Sequence, residues 1–477
     1  MRNRTNVIIG LLQILGILNG FAQTTGFTNA YTFGFSPEGS GIENTIALQK
    51  AVDQGGTIAV SKSGTYKLAG TVYVGSNTTL DFGNNVFIQK VNEKGLFTHV
   101  ILNKGALTKT YDQNIVIKGL NIIVNGLDKP FSEVYGLRGQ LAFFYVKDLK
   151  IEHFRCNDLT KMQFGIHVCT FEDLIIDDVI IKGEKDGVHL GRGKRFTIRN
   201  GVFQTFDDAI ALNAHDYATS NPELGWIENG LIENCHDLNA ENTVGYFCRI
   251  LAGAWTDWKE GMEVQQSDAV VSNGKIYRVQ AKPDGTKYIS KTKPTHTQGS
   301  QILDGINWGV VQDDVTYTAG VRNVIFRNIF LEKPRIGLFI HFDNDKYSRS
   351  YYPNAPIPLQ EKLSFDNVRV LHDKPIPFLS IATPVDMVTI SNSSIANNPI
   401  KFVSNKAMTD YLKTNLLLYG CLFTHNGPLA LIQNSVSGKS IYLKTFGNVA
   451  LNGAFEAKIV NNDGKIMIDS DLAGLKK

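Results

Sequence analysis

From about Gly105 onward one short pattern recurs along the chain: apolar, any, apolar, any, then Asn, Gly or Asp, then another apolar residue. It falls at Ile115/Ile117/Gly119, Leu174/Ile176/Asp178, Phe196/Ile198/Asn200 and Val324/Phe326/Asn328, then at Leu363/Phe365/Asn367, Val388/Ile390/Asn392 and Leu416/Leu418/Gly420. The steps run from Asp178 to Asn200, from Asn328 to Asn367, and then on to Asn392 and to Gly420. Repeats with a period of ~20–50 residues mark solenoids, in which each unit buries its apolar face only against its neighbours. The alternation gives a short strand with an inward face, and the Asn, Gly or Asp gives a turn that tolerates left-handed backbone. No sustained helical period competes, which disfavours helical solenoids. The other reading, a β-sandwich of unrelated strands, does not account for Asn at one phase. Stacked Asn side chains can hydrogen-bond from turn to turn. The expectation is an all-β chain, a right-handed parallel β-helix.

Length agrees. The chain has 477 residues, beyond the ~250–300 at which single cores usually split, but a solenoid grows in one dimension. An open coil end exposes a sheet edge. Ile46, Ala47 and Val52 read as one short amphipathic helix closed by Gly55-Gly56, a plug for that end. Strands are expected at Thr57 to Val60 and Thr71 to Val74, with a Gly-Thr-Tyr turn between them. This opening resembles the first segment of pectin-lyase-like β-helices, phage tailspikes included.

Residues 1–22 read as a signal peptide: Arg2 and Arg4, an apolar run from Val7 to Leu18, then Gly20-Phe21-Ala22 as a cleavage triplet. The alternative, a membrane anchor, needs ~20 apolar residues. The expected location is secreted or periplasmic, with no membrane insertion after signal removal. Net charge is +3 with no basic tract, so nucleic acid is not an expected partner. Five cysteines (Cys156, Cys169, Cys235, Cys248 and Cys421) lack metal spacing. A Cys235–Cys248 disulfide is one alternative; buried free thiols are the favoured one.

Between Ala254 and Val315 the rhythm breaks into aromatic, turn-rich text that holds Trp255, Trp258 and Trp308. Asn273-Gly274 between alternating runs is a hairpin signal. The expected organisation is a β-helix over 23–253 and 316–477, with a small β module inserted over 254–315. The module is similar to short Trp/Tyr modules that bind chitin-like chains. Its rings either form its own core, the favoured reading, or extend a glycan groove through Trp258, Tyr277 or Trp308.

The chemistry gathers between Glu184 and Tyr217. Asp186 lies in KDGVHL, and the pair Asp207 and Asp208 opens FDDAIALN. Asp186 to Asp208 is the same step as Asp178 to Asn200 in the repeat. If one coil takes that step, the pair lands above Asp186. Strands lie ~4.8 Å apart, so three carboxyls then crowd one patch. Acid/base chemistry on a glycosidic bond needs such carboxyl groups. These two motifs at this separation resemble the polygalacturonase family of glycoside hydrolases (family 28), whose motifs are N-T-D-G and then G/Q-D-D-x-I-A-I-N.

The resemblance implies Asp207 as general acid, Asp186 and Asp208 activating water, hydrolysis with inversion, and a pectin-like or related cell-wall polysaccharide as substrate. No His/Asp/Glu set has a convincing metal spacing, so no metal and no cofactor is expected. The family's Asn-Thr is here Glu184-Lys185, and its G-H-G falls near Gly245-Tyr246-Phe247. Its R-I-K, which grips the uronate carboxylate, aligns with Phe339-Ile340-His341. The acid set is therefore present and the usual uronate grip absent. Candidate substrate-binding residues are His189, His215, Arg249, His341 and Arg349, with Arg335 another source of positive charge. His189 has an alternative as a hydrogen bond between turns, and His215 as an ordinary surface residue. Two other functions remain open: a β-helix polysaccharide lyase using Lys185 or Arg249 as base, and a non-catalytic glycan-binding or tailspike-like protein.

Overall fold

The computed structural model describes residues 27–345, 348–405, 413–461 and 464–475; the signal peptide expected at 1–22 lies outside them. Parallel strands stack coil upon coil into a right-handed β-helix. The repeat sets the register. Leu174, Phe196, Gly230, Val324, Leu363, Val388 and Leu416 lie in line, each paired with the next. These residues and their i+2 partners point inward and form one continuous apolar core. Volume is matched across coils. Gly230 leaves no room for a Cβ because the Phe196 ring of the preceding coil occupies that space, and Phe171 fills the space at Gly193 in the same way.

Left-handed backbone bends the long strands at a fixed phase. Asn200, Asn234, Asn328, Asn367 and Asn392 have φ of 56°, 55°, 54°, 52° and 50°. A second such column (Arg195, Asn229, Asn323 and Lys362) precedes the first in the same coils. Left-handed backbone costs most side chains ~1–2 kcal/mol, and Asn tolerates it best. The Asn amides also bridge the coils: Asn234 donates to Asn200 at 3.3 Å, Asn328 to Asn234 at 2.9 Å and Asn367 to Asn328 at 2.7 Å.

The helix Gly41–Val52 covers the first coils. Ser40 and Glu43 form a capping box, and Glu93 accepts from the backbone N–H of Gly41 and Ile42 at 2.9 and 3.0 Å. Its buried face includes Ala47, Leu48, Ala51 and Val52. The expected Gly-Thr-Tyr turn is a strand instead: Gly64–Leu68 pairs with Val86–Lys90, and Tyr66 and Leu68 fill the core. Two alternating apolar residues were too short a signal to mark it. All five cysteines are buried and free, so the Cys235–Cys248 disulfide does not form.

Within 254–315 a separate five-stranded sheet forms from Thr256–Asp257, Ala269–Ser272, Lys275–Val279, Ser300–Leu303 and Ile306–Gln312. Asn273 and Gly274, both at positive φ, turn its hairpin. Tyr277 and Trp308 are fully buried in its core with Trp258 packed against them, while Trp255 joins the core of the coil. These rings stabilise the module and do not line an open groove. The stack ignores the insertion: Ile227–Asp237 pairs directly with Val321–Leu331.

Asn328 both donates and accepts in the Asn column, at φ 54°. Asn328→Ala loses both bonds and strains the backbone, for an expected cost of about 2–3 kcal/mol. Asn328→Gly keeps the backbone relaxed and costs less. Urea unfolding midpoints of the two variants check the order.

Candidate active site

Asp186 and Asp208 occupy equivalent places in successive coils, two residues ahead of the paired strands Val188–Leu190 and Ile210–Asn213. One coil carries Val188 onto Ile210, and the Gly187 N–H donates to the Asp208 carbonyl at 2.9 Å. Asp207 joins them at the same edge. One carboxylate oxygen from each of the three lies within 4.8 Å of the others. They open into a cavity of about 460 Å³ that Arg138, Lys185, Tyr217 and Arg249 also line. A larger groove, about 1080 Å³, runs along another sheet past Thr79, Val116, Ile175 and Thr197; it is the repeat surface between the two left-handed columns and lies away from the trio.

The three carboxyls differ in setting. Asp186 and Asp208 are 3% exposed, whereas the Asp207 side chain is 25% exposed and contacts the Lys185 ammonium. Burial, and then the charges of Asp207 and Asp186, push the Asp208 carboxyl well above the usual carboxylate range. Asp208 accepts from the Tyr246 N–H at 2.7 Å. Lys185, also 3.7 Å from Asp186, is held above the usual lysine range by Asp186 and Asp207, although burial alone would lower it. Three oxygens so close are also a donor set for a hard cation, and in this arrangement Lys185 supplies positive charge to them.

Beneath the pair lies a support that no motif announced. Lys333 and Arg335 both bind Asp237, at 3.0 and 3.2 Å. Lys333 also donates to the Thr205 carbonyl, and Arg335 to the Asp207 carbonyl at 3.2 Å. Arg335 is thus a tie for the backbone that carries the trio, not an anion grip. Gly245 presses on the Asp207–Asp208 peptide so closely that any Cβ would collide with it, which gives the Gly of Gly245-Tyr246-Phe247 a steric reason.

The five candidate binding residues divide. Arg249 lines the cavity but is already paired with Asp343 at 2.6 Å. Burial opposes its charge, and Asp343, Asp216 and Asp208 hold the guanidinium well above its usual range. His341 accepts from Arg249 at 3.2 Å, stacks on Phe339 at 4.1 Å, and is lowered to about 4 by burial and Arg249. His189 is fully buried, stacked on Phe164 at 4.2 Å, with Nδ1 2.9 Å from Asp186. Burial holds the ring neutral, so its Nδ1–H donates to Asp186 and fixes that carboxylate. It is buried against Asp186 and is not among the residues that line the trio's cavity.

His215 is 1% exposed beside Trp255 and Gly253, and burial lowers it to about 3; it is neither a surface residue nor a cavity wall. Arg349 is ion-paired with buried Asp268 and straps its loop to the module, away from the trio. The partners that matter most here, Asp343, Asp237 and Phe164, are far from the motifs in sequence. A sequence pattern shows no spacing for an ion pair as distant along the chain as Arg249–Asp343.

No protein-family model and no curated protein matches this chain. Solved structures superimpose on it loosely. A Yersinia enterocolitica family 28 exopolygalacturonase is 13% identical, covering 93% of this chain and 78% of its own, at a TM-score of 0.46. A Thermotoga maritima exopolygalacturonase is 13% identical, covering 89% and 91%, at 0.47. The Streptococcus pneumoniae surface adhesin PfbA is 14% identical, covering 92% and 99%, at 0.46. A fold does not by itself assign an activity.

Asp208 gives a signed stability test. Its folded pKa is raised, so above the ordinary value of 3.8 the folded state holds a proton that the unfolded chain has released. Stability therefore falls as pH rises through that range. Asp208→Asn removes the penalty. Its melting temperature is expected to exceed that of the parent near pH 7 and to converge with it near pH 4.

Proposed function

We propose that the protein is a secreted glycoside hydrolase acting on a pectin-like or related cell-wall polysaccharide through Asp186, Asp207 and Asp208. The supporting observation is the trio itself: three carboxyls converge in a cavity of sugar size, and burial pushes one of them well above the usual carboxylate range. Cleavage needs one carboxyl to protonate the leaving oxygen and another to act on the opposite side of the sugar. Asp208 is the member whose carboxyl burial pushes up, while Asp207, which the family resemblance implies as the acid, is the member more open to the cavity.

The spacing bears on stereochemistry. Inverting sites usually hold their carboxyls ~6.5–9.5 Å apart and retaining sites ~5–5.5 Å apart. The family resemblance implies the inverting outcome. Proton NMR of the first-formed anomer separates the two.

The lyase reading needs an unprotonated base. Lys185 and Arg249 are both held in their charged forms by surrounding carboxylates. Neither suits that role near neutral pH.

The first experiment is product analysis on plant and algal polysaccharides. New reducing ends without ultraviolet-absorbing unsaturated sugars are expected. Asp207→Asn should lose about 10²–10⁴-fold on the glycan and far less on an aryl glycoside, whose leaving group needs no proton. Unsaturated products establish a lyase; binding without cleavage, equal in both proteins, establishes a glycan-binding protein.

A further inference from the structure

A second cavity, about 450 Å³, lies where the inserted module meets the coil. Tyr135, Phe144 and Pro222 line it from the coil, and Arg278, Gln280 and Ser300 from the module. Two features are unusual in it. Tyr135 is a 45% exposed aromatic, braced edge-on by Phe131 at 5.7 Å, with no hydrogen bond to its hydroxyl among the described residues. Arg278 is 3% exposed and donates to the carbonyls of Asp216 and Asn221 at 2.9 and 2.6 Å. Its Nε has no partner, and it makes no ion pair among the described residues. The other cation at this cavity, Lys109, is already neutralised by Glu223 at 3.1 Å. Asp216 and Glu223 favour the Arg278 charge only through space, without an ion pair, and burial outweighs them, so a further anion in the cavity would relieve a buried guanidinium.

This cavity adjoins the trio. Gly136 packs so closely on Ala218 and Asn221 that segments 134–138 and 217–222 form one ridge. Arg138, Tyr217 and Ser220 face the trio cavity; Tyr135 and Pro222 face the second one. Arg278 anchors the same ridge from the module side.

We propose that the junction cavity is a distal subsite for the glycan held at the Asp trio, with Tyr135 as the platform for a sugar ring and Arg278 supplying charge to an acidic substituent. An exposed aromatic face beside fixed polar donors is suited to a sugar, which is apolar on its C–H face and polar at its edge. The acidic group is a carboxylate or a sulfate ester. The assignment rests on the glycan-active reading of the trio, and burial supports it by lowering Arg278 to about 10.

The test reads binding without turnover, in the Asp207→Asn background. Oligosaccharides of two to eight residues from polygalacturonate, alginate and carrageenan, with neutral galactan as the control, are titrated calorimetrically. Tyr135 is followed by hydroxyl-radical labelling. At least one acidic series is expected to bind tenfold or more tightly at length than as the dimer, to protect Tyr135, and to lose that gain in Tyr135→Ala with dimer affinity unchanged. The carboxylated and sulfated arms identify the substituent. Affinity independent of length in every series, an unprotected Tyr135, or a gain that survives Tyr135→Ala overturns the subsite. A protein that cleaves no glycan yet shows the gain and the protection keeps the subsite and loses the hydrolase. One that cleaves without protecting Tyr135 does the reverse.

Discussion

Registration of one coil on the next is the constraint that everything else here depends on. Asp186 and Asp208 meet only because the coil between them has the length that pairs Val188 with Ile210 in the strands that follow. A slip of one residue inverts every side chain in that strand. The cost of such a slip is set by the apolar interior and by the Asn columns, whose left-handed backbone and inter-coil amides hold the corners in phase. The same forces that build the scaffold therefore set the spacing of the carboxyls.

Around the trio, electrostatics follows from burial. The site is lined with cations and anions in about equal measure, and most are spent on one another: Lys185 on Asp207, Arg249 on Asp343, Lys333 and Arg335 on Asp237. What remains is a carboxyl pushed well above its usual range and two guanidiniums, Arg138 at the cavity and Arg278 in the module, that bond to backbone carbonyls and make no ion pair among the described residues.

The repeat and the paired motifs made the coil, the capping helix and the carboxylate cluster legible, since each is a local pattern repeated at a fixed phase. The Asn column was legible for the same reason. Side-chain roles that depend on distant partners were not. His189 and His215 sit close to the motifs in sequence, yet both are buried, one holding Asp186 and the other beside Trp255. Arg349 serves the module through Asp268. The favoured reading of the module's aromatic residues, that they form its own core, holds: Tyr277 and Trp308 fill it with Trp258 packed against them. Tyr135, the ring that is open, lies in a stretch with no repeat and no motif to mark it.

The matching of Phe196 to Gly230 and of Phe171 to Gly193 means that the coils are not interchangeable bricks. Each coil carries the negative of its neighbour's shape on one side only. Moving a coil elsewhere in the stack would open a hole at one face and a collision at the other. The order of the solenoid is thus written in side-chain volume, independently of the turns and hydrogen bonds that any coil supplies, and this gives a largely one-dimensional fold a direction and a unique sequence of parts.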